Sequence, residues 1–281
     1  MKITDHKVDG ARYVSTPKKG GVITPKIILM HFTAGWTTAG DIATLTETGP
    51  KSRNASAHGV LSRSGEWTQI VPFNRKAWHA GPSRYPRTGA MLSHNLNDDA
   101  IGIEISNIGY LQRILTGSFK GNFKDEYGSI ISPDGQFLGS VRSTPKESPP
   151  PNMWPSHTHR VLRDGNRPGL YVWEPFSKDQ LQALDALVEA LLDAYPTIVA
   201  ITGHEDVDLR GWKSDPGPAF PMARYQRMLA PRVRPVPTPE PAKQSALAET
   251  TPPVTGSPDQ SPAATPAATP PWYKKWNVFW K

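Results

Sequence analysis

The chain of 281 residues contains no cysteine. That excludes disulfide staples, thiol nucleophiles, iron–sulfur clusters and cysteine-based zinc knuckles together. A transition metal would have to be held by His, Asp or Glu. No apolar run reaches the roughly 18 residues that a membrane-spanning helix needs. The opening MKITDHKVDG has no apolar segment behind its lysine, so no secretory signal is expected and the chain reads as a cytoplasmic product. A concentrated basic stripe is lacking too. The formal charge is +7, but the lysines and arginines of residues 1–230 are scattered, so no nucleic-acid partner is expected. The basic balance suits an anionic polymer or surface without choosing among them.

Proline, in contrast, is abundant, with 30 residues unevenly placed. From Pro231 to Pro271 there are 12 prolines in 41 residues, with Ala, Thr and Ser between them. Three basic and three acidic residues cancel there. Such a segment has too little apolar surface to offset chain entropy, and reads as an extended linker over 231–271. It leads into WYKKWNVFWK (272–281), with five aromatics and three lysines. Aromatics beside lysine suit a membrane or envelope surface, although ten residues cannot span a bilayer. Residues 1–230 have an ordinary apolar share and form the globular part.

Within that part the pattern alternates between strand and helix. Lys26–His31 (KIILMH) is a near-continuous apolar run, as in a buried strand. Thr38 caps a short helix reaching about Glu47. Ala57–Ser62 and Trp67–Pro72 flank the turn Arg63–Glu66 and read as a hairpin. Ala100–Ser106 alternates, with Ile101, Ile103 and Ile105 on one face and Glu104 on the other. Ile130–Ile131 and Gln136–Leu138 flank a second turn, Ser132–Gly135. Ser177 opens an amphipathic helix with leucines at helical spacing, ended before Pro196. A strand at Thr197–Thr202 and a helix at Pro221–Leu229 follow. The fold class is α/β: a single domain with a central mixed β-sheet flanked by helices.

Among eight histidines, two stand where strand ends meet loops. His31 closes the apolar run 26–31, and His204 follows the strand at 197–202. A polar side chain at the end of a buried strand is held rigidly beside a loop that can open a cleft. Asp215 lies 11 residues after His204, before a proline that biases it to extended backbone. Two imidazoles and one carboxylate suit Zn²⁺ with a further position open to water. Taken alone, this trio is also compatible with core histidines and an ordinary turn carboxylate.

Seven stretches in order extend the pattern: ILMHFTA (28–34), SAHGV (56–60), QIVPF (69–73), AWHAG (77–81), IGIEI (101–105), TGHED (202–206) and KSDPGPAF (213–220). Together they span about 190 residues. In these the chain resembles the zinc-dependent N-acetylmuramoyl-L-alanine amidases, a family that includes AmpD-like enzymes, phage lysozyme-type amidases and peptidoglycan recognition proteins. The resemblance implies a zinc site at one open face of the sheet, with His31, His204 and Asp215 as ligands. It implies Glu104 and Lys213 as the catalytic pair, and Trp78 and His79 on a substrate-side loop. Peptidoglycan or a muropeptide is the implied substrate, cleaved between N-acetylmuramic acid and L-alanine in wall lysis or fragment recycling.

The chemistry agrees with that implication. Amide hydrolysis needs an activated water, a stabilised oxyanion and a proton for the leaving amine. Glu104, off the isoleucine face, suits a general base, and Lys213 suits an oxyanion partner. Asn107 is a further candidate for hydrogen-bonding substrate. His58 reads as structural, Asp206 as the residue holding a ligand imidazole in its tautomer, and His157 and His159 as part of a surface loop. The stretch from 108 to 174 matches the family less and is expected to form a hairpin and a cleft wall. Rival readings are a non-hydrolytic peptidoglycan-binding module, a zinc peptidase acting within the stem peptide, and a membrane-active protein working through 272–281.

Overall fold

The computed structural model describes residues 1–50, 52–86 and 91–232. The aromatic tail at 272–281, and the proline-rich segment from 233 onward, lie outside the described residues.

The centre is a six-stranded sheet. Its strands run, in spatial order, Ala200–Gly203, Ile27–Phe32, Ala100–Ile105, Gly59–Leu61, Trp67–Gln69 and Arg12–Tyr13. The first four are mutually parallel, and Gly59–Leu61 and Trp67–Gln69 form the one antiparallel pair. Trp67–Gln69 is parallel in turn to Arg12–Tyr13, so the sheet is mixed as expected. Buried parallel strands read as continuous apolar runs because both faces are covered. Ile27, Ile28, Leu29 and Met30 are all fully buried.

One face packs on the helix Lys178–Ala194. Ser177 starts it with a capping box: its Oγ accepts from Gln180 N at 3.0 Å, and Gln180 Oε1 accepts from Ser177 N at 3.1 Å. Leu184, Leu187, Val188 and Leu191 then meet Ile28, Met30, Ile101, Ile103 and Ile105 in the main core. Each such buried side chain contributes about 1.5–3 kcal/mol relative to exposure. The helix Met222–Leu229 adds Tyr225 and Leu229 to the same cluster. The short helix Thr38–Thr46 lies by Ala57, Val60 and Ile70. Its cap is Thr37 rather than Thr38: Thr37 Oγ1 accepts from Gly40 N, because Thr37 is the last residue with extended backbone.

Residues 108–174, part of which was expected to form a hairpin, build a whole second sheet that includes one. Its five antiparallel strands run Ile130–Ile131, Phe123–Lys124, Tyr110–Arg113, Pro168–Trp173 and Ser156–Arg160. The turn at 132–135 forms as expected, with Gly135 at φ 94° and its N–H bonded to Ser132 O. His157 and His159 lie in the strand Ser156–Arg160 and not in a surface loop. Five residue pairs with Pro168–Trp173, across a seven-residue connection, hold them there.

A buried ion pair ties the second sheet to the first. Arg63, in the turn after Gly59–Leu61, meets Glu174 through Nε at 2.7 Å and Nη2 at 2.9 Å. Both side chains are almost fully buried. The remaining capacity of the carboxylate is filled by Ile108 N and Ser148 Oγ. Among the described residues no helix is long and apolar enough to cross a membrane.

Candidate metal centre

The site forms at the carboxyl ends of three parallel strands, the end of an α/β sheet where crevices open. His31 is the fifth residue of Ile27–Phe32 and stands in register with Glu104 on the neighbouring strand. Register partners project from the same face, so imidazole and carboxylate are side by side. His204 follows Gly203, the last residue of the strand on the other side. Asp215 arrives from a loop drawn close to that strand end. Its carbonyl accepts from Glu205 N at 2.9 Å, and its peptide to Pro216 is cis. Gly217 at φ 76° completes the loop, where a Cβ would lie 2.5 Å from Trp173 Cζ3.

Three atoms converge there. His31 Nδ1 lies 3.0 Å from His204 Nδ1 and 2.9 Å from Asp215 Oδ2. His204 Nδ1 lies 3.0 Å from the same oxygen. All three residues are buried, and among the described residues this is the one His/Asp/Glu group arranged to hold a metal ion. The outer nitrogens explain which atoms face inward. His204 Nε2 faces Ala80 O at 3.1 Å, an atom that only accepts, so Nε2 carries the hydrogen and Nδ1 of a neutral ring keeps its lone pair.

The charges point the same way. Burial first, then His204, push His31 down to about 4, against the pull of Asp215. Asp215 is held well below the usual carboxylate range. Its burial works against that but is outweighed by His204, by hydrogen bonding to both imidazoles and by Lys213. An anionic carboxylate therefore faces a ring that resists protonation. A cation between the three lone pairs resolves that arrangement, and the donor set of two nitrogens and one oxygen fits Zn²⁺.

Glu104 is partly buried and its affinity for a proton is raised well above normal, by burial first and then by Asp215, while Lys213 opposes the shift. Lys213 thus stands within electrostatic reach of His31, Glu104 and Asp215. The loop carrying it is organised by Asp208, whose carboxylate is fully buried. That carboxylate accepts from Trp212 N at 2.7 Å, Lys213 N at 3.3 Å and Arg210 Nε at 2.9 Å. The sequence reading missed Asp208, although an Asp three residues before Gly211 is a turn signal.

Three expectations are corrected here. His79 does not face the cleft: its ring is buried, with Nδ1 3.2 Å from His31 Nε2 and Nε2 3.3 Å from Ala100 O. Its backbone N–H and that of Ala80 both bond Asn97 Oδ1 at 2.9 Å, which fixes the ring's entry point behind His31. Asn107 is buried too. Its Nδ2 donates to Glu174 O and its Oδ1 accepts from Gly109 N, so it orders the turn between the two sheets. Asp206 holds no imidazole. Its Oδ2 accepts from Thr202 Oγ1 and Gly203 N, because it caps the short helix that starts at His204. Trp78 remains partly open at 39% exposure, with Lys76 Nζ 4.6 Å above its ring. His58 is structural as expected, bonding Arg75 O through Nε2 and Gly102 N through Nδ1.

Comparison with known proteins places this geometry. Residues 22–218 match the family described as N-acetylmuramoyl-L-alanine amidase, and the chain belongs to that family. The 1,6-anhydro-N-acetylmuramyl-L-alanine amidase AmpD of Escherichia coli (strain K12) is 27% identical over 176 residues, covering 62% of this chain and 58% of that protein. The protein of the same name from Enterobacter cloacae is 27% identical over 175 residues, covering 62% and 57%. The matched part thus spans under three-fifths of these relatives' length. A selenomethionine AmpD derivative of known crystal structure superposes with a TM-score of 0.50 at 22% identity, over 82% of this chain and 99% of that one. That likeness establishes the fold.

Proposed function

We propose that this chain is a zinc-dependent amidase that hydrolyses the bond between the lactyl carbonyl of N-acetylmuramic acid and L-alanine, in peptidoglycan or a muropeptide. The observation that carries the reading is the convergence of His31 Nδ1, His204 Nδ1 and Asp215 Oδ2 beside Glu104. Family membership supports it. Those three atoms would hold the ion. Bound there, Zn²⁺ would supply Lewis-acid polarisation of a carbonyl and acidify a water.

The chain's own groups do the rest. Glu104, with its raised proton affinity, takes a proton from the attacking water and returns it to the departing amine. Lys213 sets a fixed positive charge where the tetrahedral oxyanion forms. Trp78, open to solvent next to the metal-side His79, offers a flat apolar face to the sugar or peptide.

The test is mass spectrometry of a 1,6-anhydromuramyl peptide incubated with the protein, with and without chelator. Release of the peptide beginning at L-alanine, lost on chelation and restored by zinc, is the expected result. Unchanged substrate with measurable binding would point to a non-hydrolytic module, a reading that the complete donor set and Glu104 disfavour. Cleavage inside the stem peptide would keep the metal site and overturn the assigned bond. Repeating the assay on intact sacculi separates recycling of soluble fragments from lysis of the polymer.

A further inference from the structure

We infer that His79 is a positioning residue which, by accepting a hydrogen bond from His31 Nε2, locks His31 in the tautomer that turns the bare Nδ1 toward His204 and Asp215. This rests on the metal-centre reading above, and it replaces the substrate-contact role that the AWHAG motif suggested.

The relay starts from a fixed point. Ala100 O is a backbone carbonyl and only accepts, so His79 Nε2, 3.3 Å away, carries the hydrogen. A neutral imidazole has one N–H, so His79 Nδ1 is a bare acceptor. It lies 3.2 Å from His31 Nε2, which therefore donates. His31 Nδ1 is then left with a lone pair, aimed at the converging atoms. The two rings meet edge-on, 5.2 Å between centroids at 83°, which suits an in-plane N–H reaching an in-plane lone pair.

His204 and His31 therefore reach the same tautomer by different routes. His204 is set directly by the carbonyl of Ala80. At His31 Nε2 the partner is instead the side chain of His79. A histidine inserted between His31 and the Ala100 carbonyl carries the instruction across the gap. A carboxylate in that place would do the same for His31 but would add a buried negative charge, which is costly without a partner.

A second observation shows that the fold reserves space for this ring. Gly102 stands in the middle of the central strand Ala100–Ile105, where glycine weakens a sheet. A Cβ there would lie 2.5 Å from His79 Cγ and 2.6 Å from its Nδ1. Ala100, Gly102 and Glu104 share one face of that strand. The His79 ring thus occupies the volume that a side chain at 102 would take, directly behind the catalytic end.

The experiment uses the full chain with ¹⁵N-labelled histidine, with two readouts. In metal-free wild-type protein, His31 Nε2 should carry the proton and Nδ1 should show the shift of an unprotonated nitrogen. The zinc dissociation constant, from competition with a chromophoric chelator, should then weaken about 10–100-fold in His79→Phe, the usual cost of losing a partner of a ligating histidine. His79→Asn keeps an acceptor at the Nδ1 position and should recover most of that loss. Gly102→Ala keeps every histidine but crowds the ring, and should weaken zinc in the same direction.

A proton on His31 Nδ1 in the wild type would overturn the inference whether or not zinc binds. Equal zinc affinity in wild type and His79→Phe would overturn it as well. Failure of the wild type to bind zinc, with the expected tautomer present, would sink the metal reading while leaving the His79 relay standing. Should His79→Phe fail to fold, the wild-type nitrogen shifts and His79→Asn still decide.

Discussion

The six-stranded and five-stranded sheets solve different problems. The first is buried on both faces and mostly parallel, so its strand ends are rigid and point the same way. The proposed metal ligands and general base all sit at that end, on a frame with apolar clusters on both faces. The second sheet is antiparallel and built of short strands. Leu170 in its strands, and Leu115, Val141 and Met153 in its connections, are more than two-thirds exposed. The second sheet is joined to the first by two ion pairs, Arg63 on Glu174 and His159 Nε2 on Glu205 Oε2 at 2.6 Å, and by Phe32, which packs against the cluster of Tyr110, Tyr171 and Trp173. The first sheet carries the candidate metal site, and the second is attached beside it through both buried ion pairs and aromatic packing. Damage to the two regions should therefore be read out differently.

The sharpest contrast is at the strand ends. His204→Ala should reduce amidase activity to background and abolish zinc retention, while the circular dichroism spectrum of the fold persists. Survival of substantial activity would break the assignment of the parallel sheet as the catalytic frame.

Glu104→Gln should cost about 10²–10⁴-fold in kcat/KM, the usual contribution of a positioned acid–base group. It should also stabilise the metal-free protein at neutral pH. Glu104 binds its proton more tightly when folded than when unfolded, so wild-type stability falls as pH rises from the ordinary glutamate range toward the raised folded value. The substitution removes that fall. Melting midpoints across pH 4–8 in chelator check it, at about 2–4 °C for each kcal/mol relieved. A wild-type curve as flat as the variant's would contradict the buried-carboxylate picture.

The junction comes next in size. Arg63→Ala leaves Glu174 buried without its cation, which should cost about 3–5 kcal/mol. Urea midpoints measure it. An unchanged midpoint would mean that the second sheet is anchored by something other than this pair.

His159→Phe should matter less. The pair with Glu205 is only partly buried, so about 0–1 kcal/mol is expected, with activity within about tenfold of wild type. Smallest of all, Leu170→Ser on the open face should stay within about 0.5 kcal/mol. A large loss there would reveal that this face is covered in solution.

Much of the first sheet was legible because its signals are local. KIILMH is apolar through its centre, and the observed strand Ile27–Phe32 differs from it by one residue at each end. The helix after Ser177 announces itself by its cap and its leucine spacing. His31, Glu104, His204 and Asp215 each sit at a strand end or before a proline, positions with a local signature. The second sheet was not legible as a sheet. Its strands are two to six residues long, and the pairing that closes it into one sheet, Leu111 opposite Val172, joins segments far apart in the chain. His79 was misread for a related reason. The motif places the residue, but the direction of its ring depends on Asn97, Ala100 and the gap above Gly102.

By itself, then, the sequence determined the α/β class, the donor types available to a metal and the strands that present them. Periodicity, the absence of cysteine and the placement of polar residues at strand ends are properties of the chain alone. Tertiary structure decided which nitrogen of each histidine faces inward, that Asp206 caps a helix instead of holding a ligand, and that Asn107 serves the turn between sheets. The first depends on which backbone carbonyl lies within 3.3 Å of a ring, the others on which backbone groups reach each side chain. Such distances are set by strand register and loop packing between residues as much as 184 positions apart in the chain, as for His31 and Asp215.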